Sequence, residues 1–255
     1  MGDAIGQSLL TLRQVQDIYV VESNERRVAW LNEHRPEVHV VAIDELIRQC
    51  GIIFLAIKPQ QFNEVSEQLK GMLLEDQIVV SMMAGISVQK CVDRLGHRLI
   101  VRIMPNTAAA LNQGVTGLFF SPDISKSDQQ MIEALCASFG VVVLLENEAM
   151  IHAITALSGS GPAFFYRIVK VFIDFAKDHQ LDSNIAGQLV VQTLLGAGKM
   201  LQENLDPEVL IQQVTSPNGT TFAGLQAMDS GDFDKLMYNV LEHAKDRSIE
   251  LSEEA

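Results

Sequence analysis

Short apolar runs alternate with helical patterns through residues 1–147, and this alternation constrains the fold more than any other feature. The run at 52–57, IIFLAI, is continuous and lies between Gly51 and Pro59, which is typical of a strand covered on both faces. Strands joined by helices of this length predict a parallel, doubly wound sheet. A capping box at Ser127 and Gln130 predicts where its last helix begins. The predicted strands are 17–21, 38–41, 52–57, 77–82, 99–104, 117–121 and 141–145.

The pattern changes after Glu146, where strand-like runs stop and helical patterns alone follow. We expect an α/β domain at 1–147 and an all-helical domain at 148–255. The apolar stripes IVKVFIDFA and LVVQTLLGA indicate either burial inside the helical half or, at least as well, a subunit interface. The predicted helices of this half are 148–179, with turn residues at 158–162, and 184–204, 207–214, 220–228 and 233–254.

Composition narrows the classes of partner. The chain is 47% hydrophobic, enough for a sizeable core, and its formal net charge of −13 disfavours nucleic acid and anionic membrane as partners. No apolar run is long enough to span a bilayer, and the first residues lack the pattern of a signal peptide. The three cysteines and six histidines show no metal-ligand spacing. We therefore expect a cytoplasmic protein without a bound metal.

The stretch QVTSPNGTTFAGLQAMD at 213–229 predicts a turn followed by a helix. Pro217 fixes φ, and Asn218 and Gly219 tolerate left-handed conformations. The backbone N–H groups that open a helix form a site for a small anion such as a carboxylate. An ordinary capped helix explains the same pattern, so both interpretations stay open on physical grounds.

The same stretch resembles the signature of the pyrroline-5-carboxylate reductases, in which a V-T-S-P-G-G-T-T-like loop starts a helix. Asn218 replaces the first glycine of the usual pair, and Ala108 replaces a proline in a second segment. Further segments resemble the family in the same order along nearly the whole chain. They are AIKP at 56–59, VSMMAGI at 80–86, RIMPNTAA at 102–109 and ALSGSGPA at 156–163.

The resemblance implies a Rossmann-like sheet with a helical C-terminal domain, and an enzyme that reduces a cyclic imine carboxylate to L-proline with NADPH or NADH. Ser216, Gly219, Thr220 and Thr221 would then hold the substrate carboxylate. Thr221 is also the candidate to hydrogen-bond the imine nitrogen, with the proton supplied by solvent. The family's helical domains form homodimers or larger homo-oligomers, so the same is expected here.

The resemblance also implies where the cofactor binds. Lys58 is, with Thr221, a candidate catalytic residue and is expected beside the cofactor ribose or the substrate, although a solvated loop lysine also explains it. Glu22 ends a strand where acidic side chains accept the ribose hydroxyls of NAD, yet the family resemblance favours NADPH. The expected cofactor-binding residues are Gly2, Glu22, Ser23, Asn24, Ala56, Ile57, Lys58, Pro59, Ala84, Gly85 and Asn106.

One departure from the family concerns the start of the chain. A dinucleotide fold opens with a strand and G-x-G-x-x-G, whereas this sequence starts Met1-Gly2-Asp3, and its Gly2 corresponds to the third glycine. Without the first strand, we expect its two neighbours to lack ladder partners. A start upstream of Met1, a truncation, or a paralogue that has lost cofactor binding and serves as an oligomerising scaffold would each explain this. A related hydroxy-acid reductase is a further alternative.

Overall fold

The computed structural model describes residues 1–204 and 206–254. Strands and helices alternate up to Leu144, and helices alone follow. The strands are β1 (Ile18–Val20), β2 (Val38–Val40), β3 (Ile52–Leu55), β4 (Ile78–Ser81), β5 (Ile100–Met104), β6 (Gly114–Phe120) and β7 (Gly140–Leu144). The helices are α1 (Gly2–Leu10), α2 (Glu25–His34), α3 (Ile43–Gln49), α4 (Phe62–Leu69), α5 (Val88–Leu95), α6 (Lys126–Ala137), α7 (Met150–Ile154), α8 (Gly161–Asp178), α9 (Ser183–Glu203), α10 (Pro207–Val214), α11 (Thr220–Ser230) and α12 (Phe233–Glu254).

The strands form two separate ladders. Strands β1 and β2 pair in parallel, and a second sheet has the order β3-β4-β5-β6-β7. Within the described residues, no ladder joins β1 to β3. The expected break in the sheet is therefore confirmed, and so is the doubly wound arrangement with helices between strands.

The pairing of β6 differs from a fully parallel sheet. Strand β6 runs antiparallel to β5, with Ile103 opposite Leu118, while the remaining pairs are parallel. The connection between β5 and β6 contains only one 3₁₀ segment, Thr107–Leu111, and a left-handed residue, Asn112. A connection this short cannot make the crossover that a parallel pair needs, so the chain turns back on itself.

Apolar side chains cover both faces of the larger sheet, as the continuous run in β3 predicts. Val79 and Ile100 pack with Phe62 of α4 in one core cluster. Their neighbours Val80 and Val101 point the opposite way and pack with Ile5 of α1 and Ile132 of α6 in another. Because successive strand residues face opposite sides of the sheet, the same strands pack against one layer of helices on each face.

The long helix predicted over 148–179 is interrupted. Helix α7 ends at Ile154, a π-helical segment spans Thr155–Gly159, and α8 starts at Gly161. The Ser160 N–H donates to Thr155 C=O at 2.7 Å, an i→i+5 bond that defines the π turn. Pro162 has no N–H to donate, so the preceding turn cannot continue as a regular α-helix.

The predicted capping box of α6 is also placed differently. Ser125 caps this helix, with its Oγ accepting from the Asp128 N–H at 3.2 Å. Ser127 lies inside the first turn instead. Ser125 and Ser127 are two residues apart and either could act as the N-cap. The prediction of Ser127 from the sequence spacing was wrong.

Two compact units divide the chain. The first contains Met1–Ser160 and the chain from Ala244 onward, and the second contains Gly161–His243. This division falls later than the predicted boundary at 147, because α7 and the end of α12 belong to the first unit. Ser248 of α12, for example, hydrogen-bonds His152 of α7.

Gly140 at the start of β7 provides a test of this packing. Its φ is +141°, and a Cβ built there would lie 2.0 Å from the Gly114 carbonyl oxygen. We expect Gly140→Ala to lower the free energy of unfolding by about 2 kcal/mol or more, from backbone strain and overpacking. Gly6→Ala is the matched control, since nothing lies within 4 Å of its Cβ position in α1. Urea unfolding measures both, and equal effects of the two changes would contradict this account.

Candidate active site

The turn before α11 brings together the four residues predicted to bind the substrate. The Gly219 N–H donates to Ser216 C=O at 3.0 Å and closes the turn. Asn218 has a φ of 60°, in the left-handed region that asparagine tolerates. Gly219 itself has a φ of −79°, but a Cβ there would lie 2.4 Å from Ser216 Oγ. A side chain at 219 would therefore displace the Ser216 hydroxyl, while the backbone conformation at this position is open to any residue.

Helix α11 begins without a cap. Its first i→i−4 hydrogen bond runs from the Ala223 N–H to Gly219 C=O at 3.1 Å. The N–H groups of Thr220, Thr221 and Phe222 precede that bond, and no side chain in the described structure caps the helix. Thr220 and Thr221 are exposed. An open helix start carrying hydroxyl groups is suited to receive a small carboxylate.

In the first unit, the start of α1 packs closely against the end of β3. A Cβ on Gly2 would come within 3.0 Å of the Ala56 Cβ, which is the close helix–strand approach that the third glycine of a dinucleotide loop permits. Helix α1 has no side-chain cap, and its first intrahelical bond runs from the Ile5 N–H to Met1 C=O. The N–H groups before that bond are placed as donors for a phosphate, so this part of the chain fits a dinucleotide.

Lys58 and its neighbours form the loop that follows β3. Pro59 opens a 3₁₀ turn, Pro59–Gln61, for which Lys58 is the N-cap. The Lys58 N–H donates to Gln61 Oε1 at 3.1 Å, and the Lys58 carbonyl accepts from the Gln61 N–H at 2.9 Å. The side chain of Lys58 is exposed, as is Ala56, while Ile57 is half-buried. The loop backbone is therefore held in place while the lysine amine extends to solvent.

Ala84 and Gly85 follow β4 and were expected to let a cofactor approach the backbone. The φ of Gly85 is +76°, and a Cβ there would lie 2.6 Å from the carbonyl oxygen of Leu251 in α12. The space left by this glycine is used by α12 of the same chain. Its conformation and its packing each account for glycine without a ligand, so its cofactor role stays a prediction.

Asn106, which follows β5, is 9% exposed. Its Oδ1 accepts from the Val115 N–H at 3.3 Å, and its carbonyl accepts from the Ala109 N–H. The amide oxygen of Asn106 therefore ties the loop after β5 to strand β6. The expected position of Asn106 beside the nicotinamide stays a prediction.

An ion pair made by a buried arginine in the same unit was missed by sequence reasoning. Arg102 in β5 is 2% exposed and donates from Nη1 to Glu148 Oε1 at 2.6 Å. The same oxygen accepts from the Val88 N–H at 2.8 Å, at the start of α5. Arg102 Nε and Nη2 are buried without a partner in the described structure. A charged residue inside the apolar run LIVRIM was the available signal that a counterion must lie nearby.

His152 lies beside this ion pair. Its Nδ1 is 2.9 Å from Ser248 Oγ, and both residues belong to the first unit. Burial lowers the pKa of His152 below its ordinary value, and the charge of Arg102 lowers it further, against opposing contributions from Glu148 and Ser248. The imidazole is therefore kept neutral near pH 7, which suits the structural role of a hydrogen bond between α7 and α12.

A doubly wound sheet followed by helices is the architecture of NAD(P)-dependent oxidoreductases with a helical second domain. Residues 1–85 match the family model described as NADP oxidoreductase coenzyme F420-dependent, and residues 148–251 match pyrroline-5-carboxylate reductase dimerisation. The chain is 36% identical over 212 residues to the pyrroline-5-carboxylate reductase of Pseudomonas aeruginosa, covering 82% of this chain and 78% of that protein. It is 34% identical to pyrroline-5-carboxylate reductase 2 of Bacillus subtilis, covering 100% and 91%.

A solved structure agrees with these relatives. The pyrroline-5-carboxylate reductase of Coxiella burnetii superposes with a TM-score of 0.88 at 31% identity, over 98% of this chain and 94% of that one. The chain belongs to the pyrroline-5-carboxylate reductase family.

No helix in the described part of the chain is long and apolar enough to cross a membrane. The described residues also contain no group of three or more His, Cys, Asp or Glu side chains that could hold a metal ion.

The Arg102–Glu148 pair generates a stability prediction. Glu148→Gln removes the charge that neutralises a buried guanidinium, so we expect the free energy of unfolding to fall by roughly 2–3 kcal/mol. Glu146→Gln, at an exposed position two residues away, is the matched control and should change stability little. Urea denaturation followed by circular dichroism compares the two variants. A Glu148→Gln protein as stable as the control would show that the pair is dispensable.

Proposed function

We propose that this protein reduces 1-pyrroline-5-carboxylate to L-proline, the last step of proline biosynthesis, with NADPH or NADH as hydride donor. The proposal rests above all on the uncapped start of α11, where the S-P-N-G-T-T turn presents backbone N–H groups and threonine hydroxyls. The substrate is a small anion, and this is the kind of receptor that its carboxylate needs. Membership of the reductase family supports the same reaction.

The residues of this turn would bind and orient the substrate. The N–H groups of Thr220 and Thr221, with the Ser216 hydroxyl, would hold the carboxylate, while Gly219 keeps the turn tight. The Thr221 hydroxyl would hydrogen-bond the imine nitrogen, which gains a proton from solvent as the ring carbon is reduced. The cofactor's part, when bound, is to supply the hydride that forms the new C–H bond.

The first unit would hold the cofactor. The start of α1 at Gly2, packed against Ala56, would face the phosphates, and Glu22, Ser23 and Asn24 would lie at the adenosine ribose. The remaining proposed contacts follow β3, β4 and β5. These are Ile57, Lys58, Pro59, Ala84, Gly85 and Asn106. Lys58 is exposed and enters no ion pair in the described structure, which leaves its amine available to the cofactor or the substrate.

The helical region would form a homodimer or a larger homo-oligomer. Phe172 and Phe175 of α8 are 55% and 63% exposed, and Leu189 of α9 is 55% exposed. With their neighbours they line an apolar groove between these two helices. Apolar side chains exposed together in this way are usually covered by a partner, and the match to a dimerisation model over 148–251 supports a second copy as that partner.

The proposed location is the cytoplasm. The three cysteines are free, and Cys91 and Cys136 are buried. Burial raises the pKa of each of these two thiols to about 12, so they stay protonated and unreactive. Unpaired thiols of this kind are typical of proteins from a reducing compartment.

The proposed reaction is tested by mixing the purified protein with pyrroline-5-carboxylate and NADPH or NADH and following absorbance of the reduced cofactor. We expect substrate-dependent oxidation of the cofactor and formation of proline. Thr221→Ala should lower kcat/KM by roughly 10- to 100-fold, because it removes a hydrogen bond to a nitrogen that becomes charged.

The matched control is Thr193→Ala. The Thr193 hydroxyl donates within its own helix, to Leu189 C=O at 2.7 Å, so its loss should leave kcat/KM nearly unchanged. A wild-type protein that self-associates but oxidises no cofactor with this substrate would contradict the proposal and favour an oligomerising scaffold. Activity with a hydroxy-acid pair alone would favour the related reductase.

The oligomer is tested separately by sedimentation velocity. Phe172→Glu places a charge in the apolar groove, so we expect it to shift the protein from dimer or larger species towards monomer. Leu111→Glu is the matched control, because Leu111 is 77% exposed and lies in the first unit. A Phe172→Glu protein that keeps the wild-type mass distribution would show that this groove is outside the interface.

A further inference from the structure

Glu22 lies just beyond the end of β1 and is held there by the backbone. Its Oε1 accepts from the Asn24 N–H at 2.9 Å, and its side chain is half-buried. Strand β1 ends at Val20, paired in parallel with β2. Since the first strand of the dinucleotide fold is missing from this sequence, β1 is the counterpart of its second strand. An acidic side chain that follows that strand is placed to accept the 2′- and 3′-hydroxyls of the adenosine ribose.

The side chains of Arg27 and Arg35, in and just after α2, are already engaged. Arg27 Nη2 pairs with Asp3 Oδ2 at 3.3 Å, and its guanidinium lies 3.9 Å from the centre of the Trp30 ring. Arg35 Nε pairs with the other oxygen of Asp3 at 3.2 Å. Burial would raise the pKa of Asp3, but hydrogen bonds from Arg35 and Gln7 and the charges of both arginines outweigh it and lower the pKa. Asp3 therefore stays ionised and keeps both arginines occupied.

The amide of Asn24 is also committed. Its Oδ1 accepts from the backbone N–H groups of Arg26 and Arg27, at 3.0 and 3.3 Å, and so caps α2. Ser23 and Arg26 are exposed. Arg26 enters no ion pair in the described part of the chain, which leaves its charge available to a phosphate on the ribose.

We infer that Glu22 makes this protein prefer NADH to NADPH, an inference that rests on the proposed function. The 2′-phosphate of NADPH would bring negative charge beside a fixed carboxylate, whereas the free hydroxyl of NADH donates a hydrogen bond to it. Arg26 is exposed, and its charge would have to outweigh the carboxylate of Glu22 before a 2′-phosphate could bind. This conclusion reverses the preference for NADPH that family resemblance suggests.

Direct binding tests the inference without relying on turnover. Titrations that follow the fluorescence of NADH and of NADPH should give a Kd for NADH at least about tenfold lower in the wild-type protein. Glu22→Gln should bring the two dissociation constants within about threefold, by weakening NADH and admitting NADPH. Glu25→Gln is the matched control, since it removes the same charge three residues away and should keep the wild-type ratio.

Nucleotide fragments give an independent reading of the ribose site. In thermal melts, 5′-AMP should protect the wild-type protein more than adenosine 2′,5′-bisphosphate, and Glu22→Gln should reduce or invert that difference. Equal or tighter binding of NADPH by the wild-type protein would overturn the inference, as would an unchanged ratio in Glu22→Gln. If neither dinucleotide binds, the cofactor part of the proposed function fails and the inference fails with it. Reduction of the substrate without cofactor discrimination would sink the inference alone.

Discussion

The ion pair between the buried Arg102 and the half-buried Glu148 is the polar interaction around which β5 and α5 are held together. A guanidinium 2% exposed in the middle of a sheet is tolerated only beside a counterion. One carboxylate oxygen of Glu148 serves both the Arg102 Nη1 and the Val88 N–H, so it joins β5 to the start of α5. The loops that carry Ala84, Gly85 and Asn106 lie directly beside these elements in the sequence, so the pair fixes the elements that flank the loops.

The parts of the fold that sequence predicted best are those with local chemical signals. The strand at β3 is a continuous apolar run, and helix α10 starts where Asp206 caps it and Pro207 occupies its first position. Helices α10 and α12 have the predicted bounds. In each case the residues that specify the element lie within it or next to it.

The features that sequence did not predict depend on contacts made elsewhere in the chain. The antiparallel direction of β6 follows from the short connection after β5, and the π segment at Thr155–Gly159 from how the chain approaches Pro162. Arg102 and Glu148 are 46 residues apart, so only the folded chain identifies them as partners. The charged residue in LIVRIM shows that a partner is needed, but spacing alone cannot say which one.

The glycines of the candidate site show the same difference between what local sequence predicts and what distant contacts decide. Sequence reasoning expected left-handed backbone at Asn218 and Gly219, and the structure has it at Asn218 alone. Gly219 has an ordinary backbone conformation, and a side chain there would instead displace Ser216 Oγ. At Gly85 both reasons hold, since its φ is positive and Leu251 fills the space beside it. A motif thus identifies where glycine matters, while the physical reason depends on neighbours that the motif does not contain.

The helical unit Gly161–His243 buries little apolar surface, and this would link substrate binding to the association of subunits. Within its described residues, the buried positions are the small ones, Gly161, Ala176 and Ala186, while phenylalanines and leucines of α8 and α9 are exposed. A unit of this size that buries so little apolar surface has little stability of its own. Burial of those side chains by another copy would add the missing stability, so folding would become linked to protein concentration. Because the turn at Ser216–Gly219 belongs to this unit, the order of the proposed substrate loop would then depend on assembly as well.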